Sequence, residues 1–128
     1  MAKKIINTPM APKAVGPYNQ AIEMNGFVFL SGQVPVHPAE GKIIGETFEE
    51  QAEQVFKNIG EVLKAAGCHY SDVVKTTVFL TDLLHFKTMN EIYAKYFGEA
   101  SPARTTIEVS SLPMGALIEV ECIAAKNH

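Results

Sequence analysis

Arg104, in the stretch SPARTTIEV at 101–109, and Glu119, in LIEVECIAA at 117–125, are the residues of this chain best suited to do chemistry. An arginine is always charged, and its planar fork of N–H donors grips a carboxylate through two parallel hydrogen bonds. A glutamate can take a proton and return it. Both stretches alternate as strands do, which puts Ala103, Thr105, Ile107 and Val109 on one face, read as the core face, and Arg104, Thr106 and Glu108 on the other. In the second stretch Ile118, Val120, Cys122 and Ala124 form the apolar set, and Glu119 and Glu121 lie opposite. If the two strands pair, Arg104 and an acidic residue face one small space. That space holds either a cross-strand salt bridge on a solvated face, contributing under roughly 1 kcal/mol, or a carboxylate-binding arginine beside a proton-handling glutamate. Alternation alone leaves both readings open.

Three further positions bear on the choice. GPY, Gly16 to Tyr18, is a turn that fixes where a phenol hydroxyl points, and SGQVP at 31–35 ends a strand with Gly32, where a ligand or another backbone can come close. Ordinary turn chemistry for Gly-Pro, a half-buried core role for Tyr18 and a strand-end cap from Ser31 explain the same residues without a ligand. Asn90 lies one turn after Phe86 on a helix, near its apolar stripe, where an amide needs a partner. A protein group is the simpler partner, a ligand the other.

Metal and thiol chemistry find little support. His37, His69, His85 and His128 show no spacing that places two on one helical face or joins a cysteine pair. Cys68 follows a helix C-terminus, whose dipole disfavours a thiolate, and Cys122 belongs to an apolar set that marks it as core; both read as reduced.

The elements that must position these residues are legible in the periodicity. Residues 47–66 carry Phe48, Ala52, Val55, Phe56, Ile59, Val62, Leu63 and Ala66 at intervals of three and four, a one-sided amphipathic helix. Thr47 and Glu50 form a capping box at its start, and Gly67 stands where a left-handed residue ends a helix. A second helix follows Asp82 and carries Phe86, Met89, Tyr93, Tyr96 and Phe97 up to Gly98. Strands are predicted at 4–7, 20–24, 27–32, 73–80, 103–109 and 117–125, giving the order β-β-β-α-β-α-β-β. The crossover from 27 to 80 predicts two parallel strands, and the last two strands predict an antiparallel pair. The expected fold is an α+β two-layer sandwich in which two helices cover one face of a mixed sheet. Apolar residues on both faces of 73–80 and 117–125 call for another partner on the second face, most economically a second copy of the chain.

The composition fits one domain over 1–128: the chain has 128 residues, of which 47% are hydrophobic. A net charge of −3 gives no general attraction to polyanions, so binding to nucleic acid is not favoured. The start MAKKIINTPM has no apolar signal region and no apolar run is long enough to span a bilayer, which reads as a soluble cytoplasmic protein with no membrane partner.

AVGPYNQAIE, LSGQVPV, VVKTTVFLTDLLHF, MNEIYAKYF and above all PARTTIEVSSLPMGALIEVE resemble the RidA (YjgF) family of reactive-intermediate deaminases. The resemblance covers nearly the whole chain, and its most specific part is Pro-Ala-Arg followed at the right distance by Ile-Glu-Val. It implies a chorismate-mutase-like (ferredoxin-like) fold assembled as a homotrimer, with clefts between neighbouring subunits. It also implies that Arg104 grips the substrate carboxylate, that Glu119 positions or activates water, and that Tyr18, Ser31, Gly32, Phe86 and Asn90 line the cleft. Thr106 stands where active members usually carry Cys; the family role of that position lies largely in backbone hydrogen bonds, which Thr supplies.

The implied reaction suits these residue types. A 2-imino acid such as 2-iminopropanoate or 2-iminobutanoate, released by a pyridoxal-phosphate-dependent dehydratase, carries a planar carboxylate beside an electrophilic carbon. Water must add to that carbon, a proton must reach nitrogen and ammonia must leave, so an orienting arginine and one proton-handling carboxylate suffice. Neither metal, organic cofactor nor covalent nucleophile is required, so no cofactor is expected. Two other classes compete: a non-catalytic trimer that binds a 2-keto acid or amino acid as a regulator, and a translation-inhibiting endoribonuclease. The second lacks a basic stripe, an aromatic RNA-binding motif and a clustered histidine pair.

Overall fold

The computed structural model describes residues 2–126, so His128 lies outside the described residues. Six strands form one mixed sheet: β1 (Lys4–Ile6), β2 (Ala21–Met24), β3 (Phe27–Gln33), β4 (Val73–Leu80), β5 (Ala103–Glu108) and β6 (Ile118–Ala125). Two helices, α1 (Phe48–Ala65) and α2 (Phe86–Phe97), pack on one of its faces. The predicted order of elements is the observed one.

Local chemistry explains α1. The Thr47 side chain accepts from the Glu50 N–H while the Glu50 carboxylate takes the Thr47 N–H, and Gly67 adopts φ +77 beyond the end. Every predicted apolar residue of α1 is buried, with Val55, Phe56, Ile59 and Val62 wholly inaccessible. They pack on Val28, Leu30, Val78, Leu80, Ile118 and Val120 of the sheet, each such side chain contributing about 1.5–3 kcal/mol.

The spatial strand order, β1-β2-β3-β6-β4-β5, corrects the expected pairing of the last two strands. β6 inserts between β3 and β4, antiparallel to both, so β3 and β4 run parallel as predicted without touching. β5 pairs with β4, in parallel, and forms an edge of the sheet. A loop as long as 109–117 can carry the chain past a neighbouring strand, and residue spacing does not record that jump.

The pairing also inverts the expected faces of β5. Arg104 and Thr106 stand in register with Thr76 and Val78, whose side chains are fully buried under the helices. Ala103, Thr105 and Ile107 therefore turn outward, and Ile107 is 40% exposed. With Phe27 and Phe29 of β3, Ile107 sets exposed apolar side chains on the uncovered face of the sheet, beside polar ones such as Lys75 and Thr105. Among the described residues, no helix is long and apolar enough to cross a membrane.

Candidate functional site

Arg104 projects from β5 toward α2. Its guanidinium carbon lies 4.8 Å from the centre of the Tyr93 ring and 5.5 Å from that of Phe86, and one terminal nitrogen is 4.0 Å from the Met89 sulfur. Phe86, Met89, Asn90 and Tyr93 are spaced as one helical stripe, which places Asn90 on the side of α2 that meets the arginine. Among the described residues no carboxylate lies within ion-pairing distance of Arg104. Two buried oxygens nearby in the fold, Asn90 Oδ1 and Thr106 Oγ1, make no hydrogen bond. A buried polar group without a hydrogen-bond partner costs about 1–3 kcal/mol, so among the described residues this corner keeps two polar groups unsatisfied.

Glu119 belongs to a different place. Its strand partner is Phe79 of β4, and it shares the open face with Phe79, whereas Arg104 takes the helix face beside Thr76. The two residues stand on opposite faces of the sheet, two strands apart across and three residues apart along it, or roughly 10 Å in each direction. Within one chain they do not share the small space that pairing of β5 with β6 would have made.

What surrounds Glu119 is the strand end at Ser31 and Gly32. Between Leu30 and Gln33 the register of β3 against β6 slips by one residue, a bulge that sets Ser31 and Gly32 opposite Glu121. A Cβ on Gly32 would stand 2.0 Å from Glu119 Oε2, so glycine is what lets the carboxylate lie against the strand. The Ser31 hydroxyl donates to the Asn19 carbonyl at 2.6 Å, and its N–H donates to the Gln20 carbonyl at 2.9 Å. These bonds dock the loop that carries Tyr18. There the Tyr18 N–H donates to the Gly16 carbonyl at 2.9 Å around Pro17, while its hydroxyl accepts from the Val15 N–H at 3.3 Å. Tyr18 stays half exposed at one wall of a 610 Å³ cleft lined by Asn7, Lys13, Asn19 and Pro38. Burial, with a smaller contribution from the neighbouring charge of Glu121, raises the Glu119 carboxyl above the usual carboxylate range.

The eight singled-out residues therefore form two groups: Phe86, Asn90, Arg104 and Thr106 at the β5–α2 edge, and Tyr18, Ser31, Gly32 and Glu119 at the end of β3. Residue spacing overlooked Met89 and Tyr93 as neighbours of the arginine, because an apolar stripe reads as core; the signal available was their spacing from Phe86 and Asn90. Cys68 and Cys122 are buried free thiols, and burial raises both, Cys122 to about 12, which leaves neither a reactive thiolate. Among the described residues no three His, Cys, Asp or Glu side chains gather as a metal ion would need.

Two helices on one face of a mixed six-stranded sheet define a two-layer α+β protein of a kind with many solved relatives. The chain belongs to the RidA (YjgF) family: a family model described as Endoribonuclease L-PSP matches residues 8–126. Reactive Intermediate Deaminase A, chloroplastic, of Arabidopsis thaliana is 57% identical over 95% of this chain and 65% of its own length. The 2-iminobutanoate/2-iminopropanoate deaminase of Mus musculus is 46% identical over 98% of this chain and 93% of its own. The crystal structure of E. coli TdcF with bound serine superimposes with a TM-score of 0.92 at 40% identity, over 97% of this chain and 99% of that one.

Proposed function

We propose that this protein is an imine/enamine deaminase that hydrolyses 2-imino acids, such as 2-iminopropanoate and 2-iminobutanoate from pyridoxal-phosphate-dependent dehydratases, to 2-keto acids and ammonia. It works without a cofactor, as a homotrimer whose sites lie between subunits. One observation carries the reading: Arg104, unpaired by any described carboxylate, sits near two buried oxygens that lack donors. An imino acid brings what that corner lacks, a carboxylate for the guanidinium, an N–H that Asn90 Oδ1 can accept and polar atoms to which the Thr106 hydroxyl can donate. The names of the mouse and Arabidopsis relatives and the serine bound to TdcF support a small nitrogen-bearing carboxylate as ligand.

The opposite placement of Arg104 and Glu119 is the argument for a second copy. The exposed apolar side chains of the open face, Phe27, Phe29 and Ile107, with Phe29 46% exposed, form a surface that packing against a neighbour would bury. Such packing brings the Glu119 group of one subunit to the Arg104 group of the next. Arg104 then fixes the carboxylate, and Glu119 takes a proton from water as its oxygen adds to C2. Glu119 returns that proton to the nitrogen to give the carbinolamine, then relays the C2 hydroxyl proton to the same nitrogen. The C2–N bond thereby breaks, ammonia leaves and the C2–O bond becomes the keto group. Glu119 must begin ionised, and its raised pKa makes it a stronger base than an exposed glutamate.

The test generates 2-aminoacrylate in situ from serine with a dehydratase and follows pyruvate. Wild type accelerates its appearance, while folded Arg104→Ala and Glu119→Gln do not. Refolding the two inactive variants together should restore about a quarter of wild-type activity, because random mixing in a closed ring sets an intact Arg104 beside an intact Glu119 at one interface in four. No acceleration by wild type would end the deaminase reading, and no rescue on mixing would end the shared site.

A further inference from the structure

Among the described residues, Arg104 is held by two rings and the Met89 sulfur rather than by a counter-ion. A partly buried guanidinium commonly takes a carboxylate partner, but that partner would occupy the N–H fork and compete with an incoming carboxylate. An aromatic face attracts the same cation through its π-electrons and leaves the in-plane donors free. Here the Tyr93 ring is the nearer face, at 4.8 Å, and Phe86 supplies the second at 5.5 Å.

The Tyr93 ring is itself locked. Its hydroxyl shares a hydrogen bond of 2.8 Å with Thr76 Oγ1; Thr76 is fully buried and Tyr93 is 5% exposed. Phe97 leans on the ring with centroids 4.5 Å apart, and Phe56 meets it edge-on at 5.8 Å. Thr76 is also the strand partner of Arg104 across β4 and β5. The three residues thus close a triangle: β4 anchors the tyrosine, the tyrosine stacks on the arginine, and the arginine returns to the strand beside the anchor. Burial raises the Tyr93 phenol, so the hydroxyl stays protonated and serves as a strut rather than as an acid or base.

We propose that Tyr93, fixed by Thr76, is a positioning residue that orients the Arg104 guanidinium and keeps its N–H fork open for the substrate carboxylate. The inference rests on the reading of Arg104 as the carboxylate grip. It assigns a positioning role toward the ligand grip to two residues that otherwise belong to the buried interior.

Calorimetric titration of the intact assembly with 2-oxobutanoate, a 2-keto acid of the product class, tests it, with NMR of the Arg104 Nε–Hε group beside it. Tyr93→Phe keeps the ring and loses the anchor, and Thr76→Val keeps the volume and loses the same bond. Each should weaken binding about 3- to 10-fold, and the double variant no further than either single one, since one bond is lost in all three. The ring-current shift of the Arg104 Hε signal should shrink in both, and the loss in imine turnover should fall mainly on KM. Tyr93→Leu, which removes the ring, should weaken binding at least 10-fold; if that variant fails to fold, the two volume-conserving variants decide. Wild-type affinity and an unmoved Hε signal in Tyr93→Phe and Thr76→Val would overturn the proposal while Arg104→Ala abolishes binding. Binding that survives Arg104→Ala would instead overturn the carboxylate grip itself.

Discussion

The two groups of site residues are built by opposite means. Around Arg104 the chain uses side chains: rings, a thioether and two unpartnered oxygens from a helix packed on a strand. Around Glu119 it uses backbone: a bulge, a glycine and a loop tied down through Ser31 to the Asn19 and Gln20 carbonyls. The first group holds a permanent charge that needs aiming. The second holds a carboxylate whose usefulness depends on its proton, and backbone lets it lie close to the strand while burial raises its pKa. On the proposed reading, a binding function falls to the packed β5–α2 edge and a proton-transfer function to the irregular end of β3.

If that division is right, the variants should separate in kind as well as in size. Glu119→Gln removes the base without altering shape, and kcat should fall about 10²- to 10⁴-fold in the dehydratase-coupled assay with little change in affinity for 2-oxobutanoate. Arg104→Lys keeps the charge but loses the fork, so the expected damage is about 10- to 100-fold and lies in KM and keto acid affinity. Equal effects of both variants on kcat and affinity would erase the distinction between the groups.

Gly32→Ala is a finer instrument. The added Cβ would overlap Glu119 Oε2, the mobile end of a side chain, so the carboxylate should swing away while the strand stays in place. A kcat reduced about tenfold, with a melting temperature within a few degrees of wild type, is the expected outcome; a large loss of stability would show that the glycine serves the strand instead. The smallest effect belongs to Glu121→Gln. Glu121 contributes to raising the Glu119 pKa, so its neutralisation should lower that pKa. Since activity falls as Glu119 becomes protonated, the acid limb of the pH–rate profile should move to lower pH. Movement to higher pH would contradict the sign. Arg104→Lys should leave that limb where it is.

Much of this molecule is visible in local pattern. The capping box of Thr47 and Glu50 and the eight-residue apolar stripe of α1 follow from spacing alone, because helix geometry is dictated within a few residues. The strands are legible for the same reason, and β4 occupies the stretch expected for it, Val73–Leu80. Arg104, Glu119, Asn90, Gly32 and Tyr18 could be singled out by type and position. The partners of Arg104 could not: Tyr93 and Met89 look like any buried stripe until the strand beneath them is known.

What the sequence by itself determined about this protein is the identity and order of its elements and the residues that alternate together on each strand. Only the tertiary structure decided that β6 slips between β3 and β4, that β5 turns Arg104 inward and Ile107 outward, and that Arg104 and Glu119 part to opposite faces. The physical reason is that alternation with period two separates the two faces of a strand without naming the one the helices cover. Pairing between strands far apart in the chain makes that choice, because it depends on which neighbour each edge finds and not on the residues beside it in sequence.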